Sequence, residues 1–98
     1  MRQIEFKNTF VELEIPTGFT PNDDRVNDTW KIENLSRYEE YKVAVYSRSG
    51  QMVFETSSHL REWDGSNGGN LVPVGAYYYV ININKFQKVF KGTVSVLR

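Results

Sequence analysis

Apolar side chains recur at every second position in six separate segments of this chain, and that period argues against a helical core before any other feature is weighed. On a strand, alternate residues face opposite sides, so a period of two builds one buried and one exposed face. "AYYYVININ" places Tyr77, Tyr79, Ile81 and Ile83 on one face, with Tyr78 and Val80 on the other. "YKVAVYS" does the same with Tyr41, Val43 and Val45, and "KVFKGTVSVL" with Phe90, Val94 and Val96. "FVELEI", "TWKIE" (with Trp30 and Ile32 on one side) and "QMVFET" are shorter expected strands. The best helical candidate, "NLSRYEEYK", is short and gives way at once to alternation.

Turn signals separate these segments. "RSG" predicts a tight hairpin in which Gly50 supplies a positive φ. "NKFQ" predicts a short reversal between the last two long strands, and "WDGSNGGNLVPVG" a Gly- and Asn-rich connection before the tyrosine strand. Short strands punctuated this way predict an all-β fold, an Ig-like antiparallel β-sandwich of about seven strands. The chain of 98 residues suits one domain, residues 1–98, with residues 1–12 either a linker or a first edge strand. At that length roughly 60–65% of the unfolded surface is buried, which supports one core.

Composition removes several function classes. Twelve basic and twelve acidic side chains cancel and are scattered, so no electrostatic footprint for nucleic acid exists. Cysteine is absent, which removes disulfides, thiolate metal sites and cysteine nucleophiles. No apolar run approaches the roughly 18 residues of a membrane helix. "MRQIEFKNTF" lacks the apolar stretch of a signal peptide, so export would depend on a signal upstream in a longer parent chain.

The richest polar stretch is "TPNDDRVNDTW". Asn22, Asp24 and Asp28 sit at even offsets, and Glu33 falls at the twelfth position, as in an EF-hand loop. Val26 occupies a ligand position, however, and Asn27 stands where the sharp turn needs glycine. Asx-turns that stiffen a long loop are the expected role. The alternatives are a Ca²⁺ site of another type on Asn22, Asp24 and Asp28, and direct partner contact. "WDGSNGGN" lacks the Lys-Ser/Thr pair of a phosphate loop, so Asp64-Gly65 reads as a turn and Trp63 as a cap on the core. Gly75 lets the chain turn sharply into the tyrosine strand. His59, the only histidine, lies in a polar connection beside Ser57 and Ser58, and adjacency in sequence is not triad geometry. The paired carboxylates Glu39/Glu40 and Asp23/Asp24 make no glycosidase pair. No catalytic set and no cofactor are expected. Among Tyr77, Tyr78 and Tyr79, two are expected in the core and one at the surface.

Taken in order, "IPTGFTPNDDRVNDTWKIENL", "YKVAVYSRSGQMVFET", "WDGSNGGNLVPVGAYYYVI" and "FKGTVSVLR" resemble the gliding-motility-associated C-terminal domain, the type B sorting domain of the type IX secretion system of Bacteroidota. The resemblance spans about residues 13–98. It rests on Thr20, Pro21, Asn22, Asp24, Asn27, Asp28 and Trp30, then Arg48, Gly50, Val53, Phe54 and Glu55. It continues through Trp63, Asp64, Gly65, Pro73, Gly75, Tyr77 and Tyr78, and closes on Lys91, Gly92, Thr93 and Val94. Asp23 and Arg25 stand where the family usually has glycines, and Ser49 replaces its usual aromatic residue. The "WDG…PxGxY" stretch is also similar to Ig-like modules of the flagellar hook cap. The family resemblance implies a non-catalytic C-terminal sorting domain on a larger parent protein. The parent would pass through the periplasm and the type IX secretion machinery to the cell surface or medium, with a PorP/SprF-like outer-membrane protein as partner. Loop-shaping or partner-recognition roles then fall to Asn22, Asp24, Asn27, Asp28, Trp30, Trp63, Asp64, Gly65, Gly75, Tyr78, Lys91 and Gly92. The reading from another class is an adhesive or carbohydrate-binding surface module presenting Tyr78, with or without stabilising calcium.

Overall fold

The computed structural model describes residues 12–21 and 28–97. Its centre is a sheet formed by the segments with the strongest period-two signal. In chain order the strands are β1 (Gly18–Phe19), β2 (Tyr41–Tyr46), β3 (Met52–Thr56), β4 (Ser66–Asn67), β5 (Asn70–Leu71), β6 (Gly75–Ile83) and β7 (Lys88–Val96). Five of them make one sheet in the order β1-β7-β6-β2-β3, and β4 and β5 pair separately as a small hairpin. The register sets Val43 opposite Ile81 and Ile81 opposite Phe90, with Tyr77 opposite Val94. The expected apolar sets of β2, β6 and β7 therefore share one face. Val45, Ile81, Val94 and Val96 on it are fully inaccessible. Burying side chains of this size stabilises by about 1.5–3 kcal/mol each.

The covering layer is mostly irregular chain. Leu13, Trp30, Leu35, Trp63 and Val72 come from the segments outside the large sheet and close the core over its buried face. The fold is all-β and sandwich-like, with one layer a true sheet and the other built from bridges, turns and the β4–β5 hairpin. Both expected hairpin connections form. Gly50 has φ +92° between β2 and β3, and a 3-10 turn at Asn84–Phe86, ended by Gln87 in the left-handed region, reverses β6 into β7.

Four expectations need correction. "TWKIE" is not a strand. Trp30 bridges Trp63 and Glu33 bridges Glu14, so neighbouring residues of the segment pair with two different parts of the chain and no ladder propagates. In "FVELEI", Phe10 and Val11 lie outside the described residues, and Glu14 makes only that single bridge. Pro16 then lacks a donor on this side. On the partner side Asn34 adopts φ +72° and leads into a 3-10 turn over Leu35–Arg37, which carries the chain away. That single turn is all that the helical candidate forms. The sheet is also not purely antiparallel, because β1 runs parallel to β7 through Gly18–Ser95 and Phe19–Val96. Finally, the connection before the tyrosine strand contains the β4–β5 hairpin, turned by Gly68 and Gly69, both at positive φ.

Candidate functional site

Two tryptophans organise the end of the molecule where the loops gather. Trp63 is 1% exposed, and its indole N–H donates to the Ser66 carbonyl at 3.0 Å. Phe19 and Tyr77 meet its ring edge-to-face at 5.4 Å each, and Phe54 stacks on it at 6.1 Å. The Arg61 guanidinium lies over the Phe54 ring at 5.6 Å, which extends the aromatic stack to a cation at the surface. Trp30 is buried beside it. Its backbone N–H donates to the Trp63 carbonyl at 2.9 Å and its indole N–H to the Pro16 carbonyl at 2.8 Å. Each indole thus satisfies its one polar group, as burial requires. Trp63 exceeds the capping role expected of it, because three aromatic rings and two backbone groups converge on that one residue.

The turn after Trp63 is built by Asp64 and Gly65. Asp64 is exposed, and its Oδ1 accepts from the Ser66 N–H at 3.1 Å and the Ser66 hydroxyl at 2.6 Å, an Asx-turn. Gly65 has φ +81°, and its carbonyl accepts from the Val72 N–H at 2.9 Å. A Cβ there would lie 3.0 Å from Pro21 Cγ and 3.7 Å from Phe19 Cε2. Glycine is therefore required twice, by conformation and by the close approach of the first loop.

The spacing Pro73-x-Gly75-x-Tyr77 also acquires a mechanism. The Tyr77 hydroxyl donates to the Pro73 carbonyl at 2.6 Å, four residues upstream, and Gly75 at φ +140° makes the bend between them. This is a tyrosine-corner type of contact, in which a core tyrosine pins the entry to its own strand. The sequence reading placed a turn at Gly75 but missed this bond. The Pro-x-Gly-x-Tyr spacing was the signal for it.

Gly92 lies on the core face opposite Tyr79. A Cβ there would fall 2.5 Å from the Tyr79 hydroxyl oxygen, so the missing side chain makes room for that ring, which in turn packs on Trp30 at 5.3 Å. Gly92 thus has a packing role. Tyr78 and Lys91 are exposed on the opposite face, Tyr78 at 46% and facing Tyr46 and Thr93 across the ladder. With Tyr77 buried and Tyr79 half-buried, the tyrosine row divides as expected. The structure therefore brings Trp30, Trp63, Asp64 and Gly65 together, and sets Tyr78 and Lys91 apart from them. Asn22, Asp24 and Asn27 lie outside the described residues, and Asp28 is half-buried at their edge.

Burial of Tyr41 and Tyr79 raises both phenol pKa values, and at Tyr41 the His59 backbone opposes the shift. The His59 side chain makes a separate and long contact, Nδ1 to the Tyr41 hydroxyl at 3.4 Å. Ser58 Oγ accepts instead from the Leu60 N–H at 3.2 Å. The histidine therefore engages a tyrosine, and the serine serves its own turn. Among the described residues no group of three His, Cys, Asp or Glu side chains converges as metal ligands would. No helix among them is long and apolar enough to cross a membrane.

Comparison with known proteins places this geometry. Residues 13–96 match the family model described as CHU_C type IX secretion signal domain. A solved structure from a study of PorZ, an essential bacterial surface component of the type IX secretion system of the human oral bacterium Porphyromonas gingivalis, superposes with a TM-score of 0.63 at 18% identity. The superposition covers 88% of this chain and 11% of that one, and at such identity it reports the fold. The search of curated proteins gave no match.

Proposed function

Because this chain belongs to the CHU_C type IX secretion signal domain family, we propose that residues 1–98 serve as the C-terminal sorting domain of a larger parent protein. The domain carries that parent through the periplasm and the type IX machinery to the cell surface or the medium. The observation that carries this reading is the match over residues 13–96, which contains all seven strands described above. The role is recognition without catalysis. A translocon that selects a folded passenger needs a surface of fixed shape, and loops pinned at both ends to a rigid core supply one. Trp63 and Gly65 hold the first loop at Pro21 against the turn at Asp64, so the two loops present one surface. In this reading Asn22, Asp24, Asn27 and Asp28 shape the first loop, and an outer-membrane protein of the PorP/SprF-like kind receives the surface.

The test is a reporter enzyme carrying an inner-membrane export signal and fused ahead of residues 1–98, expressed in a host with a working type IX system. The reporter is expected outside the outer membrane, and at background in a host whose type IX translocon is deleted. Retention in the periplasm of the competent host would overturn the proposal.

A further inference from the structure

The two edges of the large sheet are treated differently. The β1 edge is two residues long and is bracketed by Pro16 and Pro21, which are devices that prevent strand pairing. The β3 edge runs for five residues, Met52–Thr56, without a proline or lysine. β3 is the last strand in the sheet order. Among the described residues its backbone pairs with β2 alone. Its one charged residue, Glu55, is already bound to Lys42 of β2 at 3.0 Å. The one blunting device on β3 is a bulge, since Phe54 pairs with Val45 and Met52 with Tyr46, leaving Val53 as the extra residue. Val53 packs against the core instead of shielding the edge.

A groove of about 510 Å³ follows this edge, with Met52–Glu55 as one wall and Ser66–Gly69 of the hairpin as the other. A second hollow of about 410 Å³ continues from it past Val53 and Asn67 toward Ser47 and Pro73. The volumes are those of ligand sites, roughly 300–1,000 Å³. Five strand residues span about 17 Å, the length of a short added strand. Unpaired backbone N–H and C=O groups are matched by another extended backbone before any side-chain chemistry is considered. The charge at the groove selects among such chains. Glu62 and Asp64 line it beside Glu55, which Lys42 already pairs, and the one cation of the lining, Arg61, is held over Phe54, so the balance at the groove is acidic.

We propose that the β3 edge is a strand-addition site, which takes an extended, cationic segment of a partner protein between β3 and the β4–β5 hairpin. The site stands on the open edge and does not depend on the export reading. A domain that is exported yet fails the assay below keeps its sorting role and loses only this site.

The test uses the 98-residue chain labelled with ¹⁵N and a heptapeptide probe, acetyl-Lys-Val-Lys-Thr-Lys-Val-Lys-amide. Titration is expected to shift the amide resonances of Met52–Thr56 and of Ser66–Gly69 in a saturable manner. A probe N-methylated at alternate residues, and one with Glu in place of Lys, are each expected to bind at least tenfold more weakly. Met52→Lys is an exposed change that places a cation on the edge; it is expected to weaken the Lys probe at least threefold while leaving the unbound spectrum folded. Shifts confined to other strands would overturn the proposal. So would equal binding of the N-methylated probe, which would show capture by side chains alone. Sedimentation showing that the chain without peptide dimerises through the same edge would also overturn it, by making a second copy the occupant.

Discussion

Glycines at positive φ allow the cost of a strained backbone to be separated from the cost of a crowded one. Gly50, Gly65 and Gly68 have φ of +92°, +81° and +65°, but only Gly65 has atoms within 4 Å of a would-be Cβ. Alanine at Gly50 or Gly68 therefore carries the left-handed penalty alone, about 1–2 kcal/mol. The lower entropy of the unfolded alanine chain offsets about 0.4–1 kcal/mol of it, and the net expectation is about 1 kcal/mol. Gly65→Ala adds the contacts at 3.0 Å with Pro21 Cγ and 3.7 Å with Phe19 Cε2. Overpacking of that kind costs about 1–3 kcal/mol, so Gly65→Ala should lose about 2–4 kcal/mol in all. In a domain of this size each kcal/mol moves Tm by roughly 4–8 °C. Urea titration of the three variants, followed by tryptophan fluorescence, measures the difference. Pro21→Ala in the Gly65→Ala background should recover part of it, since the two residues touch. If all three glycine variants lose the same stability within about 0.5 kcal/mol, Pro21 does not press on this turn and the loops are not held as one surface.

Four further outcomes follow from the packing. Gly92→Ala should lose about 1–3 kcal/mol in wild type, and much less in a Tyr79→Ala background where the ring it strikes is gone; a double-mutant cycle by urea denaturation reads the coupling. Tyr77→Phe should lose about 0.5–1.5 kcal/mol, the net worth of its hydroxyl bond to the Pro73 carbonyl, and thermal unfolding checks it. Trp30→Phe leaves the Pro16 carbonyl without its indole donor and should lower the urea midpoint further than Tyr78→Phe, a change on the exposed face. The raised pKa values of Tyr41 and Tyr79 mean that the native state keeps protons which the unfolded state releases above about pH 10. Their contribution is complete below that pH and is lost as pH rises through the folded values, so stability should fall above pH 10, and less steeply in Tyr41→Phe.

The long strands could be read from the sequence because a half-buried sheet writes its period directly into the order of residues. Val43, Val45, Ile81, Ile83, Val94 and Val96 were legible for that reason. The covering layer was not. Trp30 and Trp63 each contribute one bridge, and a single bridge leaves no repeating pattern to detect. β1 was hidden because two residues cannot establish a period, and its parallel partner lies far along the chain. At the candidate site, Asp64-Gly65 was legible as a turn from residue type alone. The reason for Gly92 was not, since it depends on which residue lies opposite, and register is a property of two strands. The Asn22–Asn27 stretch drew attention by composition and lies outside the described residues.

The seam between β1 and β7 has a consequence for how the sheet closes. Ser95 donates its N–H to the Thr17 carbonyl at 2.8 Å and Leu97 to that of Phe19 at 3.0 Å, so β1 is fastened to the strand furthest from it in chain order. β7 is an interior strand of the sheet, and neither β1 nor the outer flank of β6 has another neighbour. Taking β7 away would therefore open two seams at once, leaving β1 without a partner strand and β6 with a bare flank, so a single strand closes the sheet on both of its sides.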